Sequence, residues 1–300
     1  MTDGGSFRDE LMTAGLLVPT GTDGIYGRSS VYEDIVAAVD SLAVAAAASE
    51  GAVSYRFPPV MPRDVFERTG YLSSFPDLMG SVSTFTGNNA DHRKLMDVAQ
   101  SGGDWTALLE AAGVNLCPAA CHPLYPTLAG TLPEGGSRYD VAGWCYRHEP
   151  SVDPARMQAF RMHELVYVGD AARASEHRDR WLQLGVEILG SLGLEVETVV
   201  ANDPFFGRVG RILADNQRAE TLKYEIVTQI DSVDRPTAIG SSNCHLDHFG
   251  QPFGIVTADG EVAHSCCFGF GLDRIALALL RTHGMHPGDW PVAARDRLWG

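Results

Sequence analysis

Apolar positions recur at helical spacing in three stretches of the chain. Val31 to Glu50, VYEDIVAAVDSLAVAAAASE, combines that spacing with many alanines and predicts a long helix. His177 to Leu192 repeats the pattern until Gly193 stops it, and Gly271 to Arg281 predicts a closing helix with Ile275 and Leu279 on its apolar side. Asp104 to Ala112 reads as a short helix. Strand-like runs fall at Glu195–Val200, Leu222–Ile230, Thr237–Leu246 and Glu261–Cys267, and Tyr139 to Val168 reads as a hairpin. Pro58, Pro59, Pro62 and Pro76 forbid a long helix in Tyr55–Leu78, so short strands and loops are expected there. Residues 1–30 are rich in Gly and Thr with little periodicity, which predicts a flexible lead-in. No internal repeat or low-complexity linker interrupts residues 31–300. This order predicts one α+β domain around a mostly antiparallel sheet flanked by helices.

Length and composition narrow the class. A chain of 300 residues with 45% hydrophobic and 20% charged residues can bury a core without disulfide staples. Its net charge of −15 argues against a general nucleic-acid binder, because phosphate attraction needs a cationic surplus. The longest apolar runs, Leu42–Ala48 and Ile275–Leu280, fall far short of a membrane span, and the polar start MTDGGSFRDEL has no secretion pattern. The six cysteines therefore predict free thiols or metal ligands in a cytoplasmic protein.

Chemistry concentrates in two segments. In Val141–Val168, VAGWCYRHEPSVDPARMQAFRMHELVYV, Pro150, Asp153 and Pro154 divide two strands. Period-two alternation places Arg147 and Glu149 on one face, with Arg156, Phe160 and Glu164 in the row R-x-x-x-F-x-x-x-E. A charged hairpin can be a solvated face, but an aromatic inside the charged row fits a functional floor better. In Cys267–Leu280, CFGFGLDRIALALL, a strand ends at Gly269-x-Gly271 and a helix opens with Arg274 in its first turn. A cation there is unfavourable. Pairing with Asp273 would explain it, and so would an anionic ligand.

Together these segments resemble the catalytic core of class II aminoacyl-tRNA synthetases. Arg147-His-Glu149 with the R-x-x-x-F-x-x-x-E strand is similar to that family's second motif, GFGLDR to its third, and Tyr55–Leu78 weakly to its first. The strand IGSSNC, Ile239–Cys244, resembles the seryl enzymes, but the following HLDHFG departs from them. With neither a coiled-coil arm nor an anticodon-reading domain expected, the chain most resembles the amino acid:[carrier protein] ligases, truncated relatives of methanogen-type seryl enzymes. That resemblance implies ATP-dependent activation of a small amino acid, glycine or alanine. The acceptor would be the phosphopantetheine thiol of a carrier protein, with no tRNA and no membrane involved, and the enzyme would be a homodimer.

The resemblance also implies site residues. A catalytic Zn2+ would be held by Cys121, Glu164 and Cys267, with Cys121 preferred to Cys117 for its CHPLYP context, and would bind the substrate amino group beside Glu164 and Asn243. Cys117, Cys145, Cys244 and Cys266 remain core thiols, and His122 and His163 are expected as supporting donors. For ATP, Arg147 would meet the α-phosphate, Glu149 the adenine amino group and Arg156 the γ-phosphate. Met157 would lie beside the base, Phe160 beneath it and Arg274 over its other face. Lys223 and the turn Ala238, Ile239, Gly240 and Ser241 would add contacts; Mg2+ would accompany ATP, with Glu225 a weak candidate ligand. Asn202–Arg218, with Phe205, Phe206, Arg208, Arg211 and Arg218, is expected as a carrier-docking insertion around 202–218. A stand-alone seryl-like synthetase, a non-catalytic paralogue and a zinc-stabilised structural domain are the competing readings.

Overall fold

The structure, a computed structural model, describes residues 6–203, 221–232 and 235–300. Among the described residues seven strands form the main sheet: β1 (Val53–Arg56), β2 (Ser137–Tyr146), β3 (Ala159–Gly169), β4 (Glu197–Val200), β5 (Lys223–Ser232), β6 (Arg235–Leu246) and β7 (His264–Gly271). Their spatial order is β4-β5-β6-β7-β3-β2-β1, with every neighbouring pair antiparallel except the parallel pair β1–β2. The expected α+β architecture is therefore present.

Strand alternation sends successive side chains to opposite faces, so the sheet carries two cores. On the back face Leu165, Phe268 and Phe270 pack against three helices: α2 (Ser30–Ser49), α3 (Ala171–Ser191) and α4 (Leu272–His283). Helix α2 follows α1 (Phe7–Thr13), and Ser29 caps it by accepting from the Tyr32 N–H at 3.3 Å. Asp170 caps α3 through the Arg173 N–H at 2.9 Å. Where α3 crosses the sheet, a Cβ on Gly185 would stand 2.3 Å from Phe268, so only glycine permits this approach. Helix α4 buries every residue from Ile275 to Leu280, which explains why its sequence is apolar all round. On the other face Val166, Val168 and Cys267 join a second core with Met61, Phe66 and Tyr125.

Two expectations are corrected. Residues 6–30 are not a loose lead-in: Phe7, Leu11, Leu16 and Leu17 lie in the back core, and Leu17–Pro19 pairs with Tyr26–Arg28. Four apolar anchors at irregular spacing fix the segment without making a periodic pattern. The Asp104–Ala112 region is a 3-10 turn, Trp105–Leu108, followed by the strand Glu110–Leu116. A helix at Asn89–Gln100, opened by a capping box between Asn88 and Asp91, was not anticipated; it buries no residue. The Pro-rich stretch does break into short pieces, including Val60–Pro62, Arg63–Arg68 and Tyr71–Ser74.

Candidate active site

The cavity-facing row of the sheet is set by register. Ser241 on β6 pairs with Gly269 on β7, which pairs with Glu164 on β3, and Asn243 pairs with Cys267. Gly269 keeps the floor low between its polar neighbours; a Cβ there would meet Met162 at 2.9 Å. Above this row lies a cavity of about 760 Å³. Of the residues proposed from sequence for ATP, substrate and metal, all except Arg156 line it.

At one end Cys121, Glu164 and Cys267 converge, all buried, with their donor atoms within 4.8 Å of one another. Glu164 is held by two backbone amides, Ala120 N–H at 2.8 Å and Cys121 N–H at 3.2 Å, so the turn bearing the thiol also fixes the carboxylate. Burial pushes the Glu164 carboxyl up to about 7. The Cys121 thiol hydrogen-bonds to Cys267, which holds Cys267 well below the usual thiol range despite burial, and nearby His245 favours the same thiolate. Cys121 is correspondingly raised. His245 Nε2 lies 3.5 Å from Cys267 Sγ, while its Nδ1 contacts Ser265 Oγ at 3.1 Å and Tyr125 Oη at 3.4 Å. Asn243 Nδ2 lies 3.8 Å from the same sulfur. Two thiols and a carboxyl sharing one buried space repel one another when ionised, and a bound cation relieves that repulsion. The donor chemistry fits zinc. Cys117 points elsewhere, its thiol donating to Ala119 O at 3.1 Å.

The opposite end carries the cations. Arg274 does not pair with Asp273; its Nε donates to Ala155 O at 2.8 Å and its Nη1 to Ala238 O at 3.0 Å. Arg147 donates to Pro118 O at 3.2 Å, and its guanidinium stands 5.4 Å from the Phe160 ring centre. Among the described residues neither arginine makes an ion pair with a carboxylate. Burial and the charge of Arg147 lower the Arg274 pKa, the direction expected of a cation awaiting an anion. Lys223 is held by Asp203 at 2.5 Å and Glu225 at 3.1 Å. Arg156 is exposed and lies 3.8 Å from Glu149 and 3.9 Å from Asp153, outside the cavity lining.

Two expected supporting histidines behave otherwise. His163 faces the back of the sheet, where its ring nitrogens lie 2.6 Å from Asp40 and 2.7 Å from Asp140, because it alternates with Glu164 along β3. His122 packs against Tyr71 and Phe249, and burial pushes its pKa down to about 3. The donor at the thiolate is His245, which sequence reading overlooked. Its signal was the alternation Ser241, Asn243, His245 along β6. The segment expected to dock a carrier protein lies, from residue 204 on, outside the described residues.

No family model matches the chain. Two proteins of Bradyrhizobium diazoefficiens, amino acid–[acyl-carrier-protein] ligases 2 and 1, are 44% and 43% identical over 93% of this chain, covering 84% and 86% of their own lengths. The type-2 serine–tRNA ligase of Methanopyrus kandleri is 27% identical over 81% of the chain, which spans 50% of that protein. The fold agrees: the M. kandleri SerRS crystallised with A. aeolicus tRNASec superposes with a TM-score of 0.83 at 22% identity, over 98% of this chain and 60% of that one. A seryl-tRNA synthetase from Pyrococcus horikoshii complexed with ATP gives a TM-score of 0.68 at 15% identity. A class II synthetase fold, a thiol–carboxylate–thiol trio and close identity along nearly the whole chain lead to one assignment: the chain belongs to the amino acid–[acyl-carrier-protein] ligases.

Proposed function

We propose that this cavity activates a small amino acid, glycine or alanine, with ATP and hands it to the phosphopantetheine thiol of a carrier protein. The observation that carries the reading is the pairing of two carboxylate-free arginines with the Cys121–Glu164–Cys267 trio in one cavity. In the first half-reaction an oxygen of the amino-acid carboxylate attacks the α-phosphorus. The bond from that phosphorus to the β-phosphate bridge breaks, and pyrophosphate leaves. Such a displacement is catalysed mainly by positioning and by stabilising charge. Arg147, with its planar fork, suits both the carboxylate and the α-phosphate. Phe160 supplies a platform for adenine, Met157 packs beside it and Glu149 accepts from the exocyclic amine. Arg274 serves the other face of the nucleotide, and Lys223 and the Ala238–Ser241 turn complete the pocket. Mg2+ accompanies the phosphates.

Cys121, Glu164 and Cys267 would hold a zinc ion, which when bound offers an open position for the substrate amine. Asn243 stands beside that position and orients the amino acid. In the second half-reaction the acceptor sulfur attacks the carbonyl carbon, the bond to the adenylate oxygen breaks, AMP leaves and the thiol proton passes to solvent. The protein works as a homodimer in the cytoplasm.

Amino-acid-dependent exchange of pyrophosphate into ATP, run across all twenty amino acids, tests the reading. Exchange with glycine or alanine supports it. No exchange with any amino acid removes adenylation, and exchange confined to serine favours the seryl-like alternative.

A further inference from the structure

Residues 17–28 carry little periodicity, yet the structure threads them beneath the nucleotide end of the cavity. Asp23 O accepts from Gln158 Nε2 at 2.8 Å and Gly24 O from the Gln158 N–H at 2.8 Å. Gln158 O in turn accepts from the Arg147 N–H at 2.9 Å. Gly24 sits at φ +76°, and a Cβ there would lie 3.1 Å from Arg156 O, so the close approach needs glycine.

Arg28 makes the more consequential contacts. Its Nε donates to Asp273 Oδ1 at 3.1 Å, and its Nη2 reaches Ala159 O at 2.7 Å and Met157 Sδ at 3.1 Å. Asp273 directly precedes Arg274, Ala159 directly precedes Phe160, and Met157 itself lines the cavity. One guanidinium thus ties together the backbone of the aromatic platform, the sulfur beside it and the residue before the second arginine. Asp273 is 2% exposed and also takes the Arg161 N–H at 2.6 Å, while Tyr32 Oη donates to Asp273 O at 3.1 Å. The Trp144 ring packs against both cations, 4.9 Å from Arg28 and 4.8 Å from Arg161. Removing Arg28 would leave Ala159 O without this donor and a buried carboxylate with one cation fewer, a change the strand and helix can absorb only by shifting.

We propose that Arg28 is a positioning residue for nucleotide binding, fixing Met157, Phe160 and Arg274 relative to one another without touching substrate. The proposal rests on the adenylation reading of this cavity. The amino-acid end is held by separate contacts, from Ala120 and Cys121 to Glu164, so the two ends should respond differently.

The test compares wild type, Arg28→Gln and Arg28→Lys by pyrophosphate exchange with ATP and amino acid varied in turn, by calorimetric binding of ATP alone, and by zinc content. Arg28→Gln is expected to weaken ATP binding and raise KM for ATP roughly ten-fold, the worth of one charge-assisted hydrogen bond. Its KM for the amino acid and its zinc content should match wild type. Arg28→Lys should fall between the two, since one ammonium cannot reach all three partners. A lowered kcat with both KM values and ATP affinity unchanged would mean that Arg28 only supports folding, and would overturn the proposal. Absence of exchange in wild type that still binds ATP would refute adenylation alone, with the ATP-affinity comparison still deciding the role of Arg28. Wild type that does not bind ATP would end both.

Discussion

The two faces of the main sheet put neighbouring residues of similar chemistry to opposite uses. Cys266 and Cys267 are adjacent on β7, as are His163 and Glu164 on β3. Cys266 turns to the back face and packs with Tyr167 and Ala174, where burial pushes its thiol well above the usual range. Cys267 turns to the cavity, where the Cys121 hydrogen bond and His245 hold its thiol well below the usual range. Which face a residue takes depends on strand alternation and register, so a one-residue slip would exchange the two roles.

The largest effect should come from breaking the cavity face at its donor trio. Glu164→Ala and Cys267→Ala are each expected to lose the metal and all exchange activity, whereas Cys266→Ala should retain about one zinc ion per chain. Metal analysis of the purified proteins decides. Cys117→Ser compared with Cys121→Ser sharpens the same point: zinc retained by the Cys117 variant and lost by the Cys121 variant is the expected result. Next come the cations. Arg147→Ala and Arg274→Ala should each slow exchange by ~10²–10³, while circular dichroism and zinc content stay those of wild type.

The smallest effect belongs to the back face. His177 Nε2 donates to Leu165 O, 3.2 Å away, and burial pushes its pKa down to about 4. The folded state therefore resists a proton that the unfolded chain accepts near its ordinary value. Stability from this group is complete above about pH 6.5 and is lost as pH falls toward about 4, at up to about 1.4 kcal/mol per unit. Denaturant titrations of wild type and His177→Leu between those pH values should show a shallower slope in the variant.

How much of this was legible from sequence follows from the same geometry. Of the elements carrying periodic apolar residues, α2, α4, β5 and β6 were readable to within about two residues of their ends, whereas α3 starts at Ala171, ahead of the expected His177, and β7 runs on to Gly271, past the expected Cys267. The cavity residues were readable because the two charged segments and the cysteine contexts resemble known motifs, and the structure brings Cys121, Glu164 and Cys267 into one place. What was hidden depends on contacts distant in sequence. Asp273 looked like a partner for Arg274 because they are adjacent, yet its partners are Arg28 and Arg161, 245 and 112 positions away. His163 looked like a helper because it adjoins Glu164, and adjacency along a strand is what sends it to the other face. His245 reaches Cys267 across a pairing whose register shifts between Cys244 and Leu246, a detail no local pattern contains.

The measurement closest to the central claim offers the enzyme, ATP and labelled glycine or alanine to a phosphopantetheinylated carrier protein and, in parallel, to total tRNA. The predicted result is label on the carrier protein in a linkage that hydroxylamine cleaves, as a thioester should be, with none on tRNA. Label on tRNA with none on the carrier thiol would contradict the account.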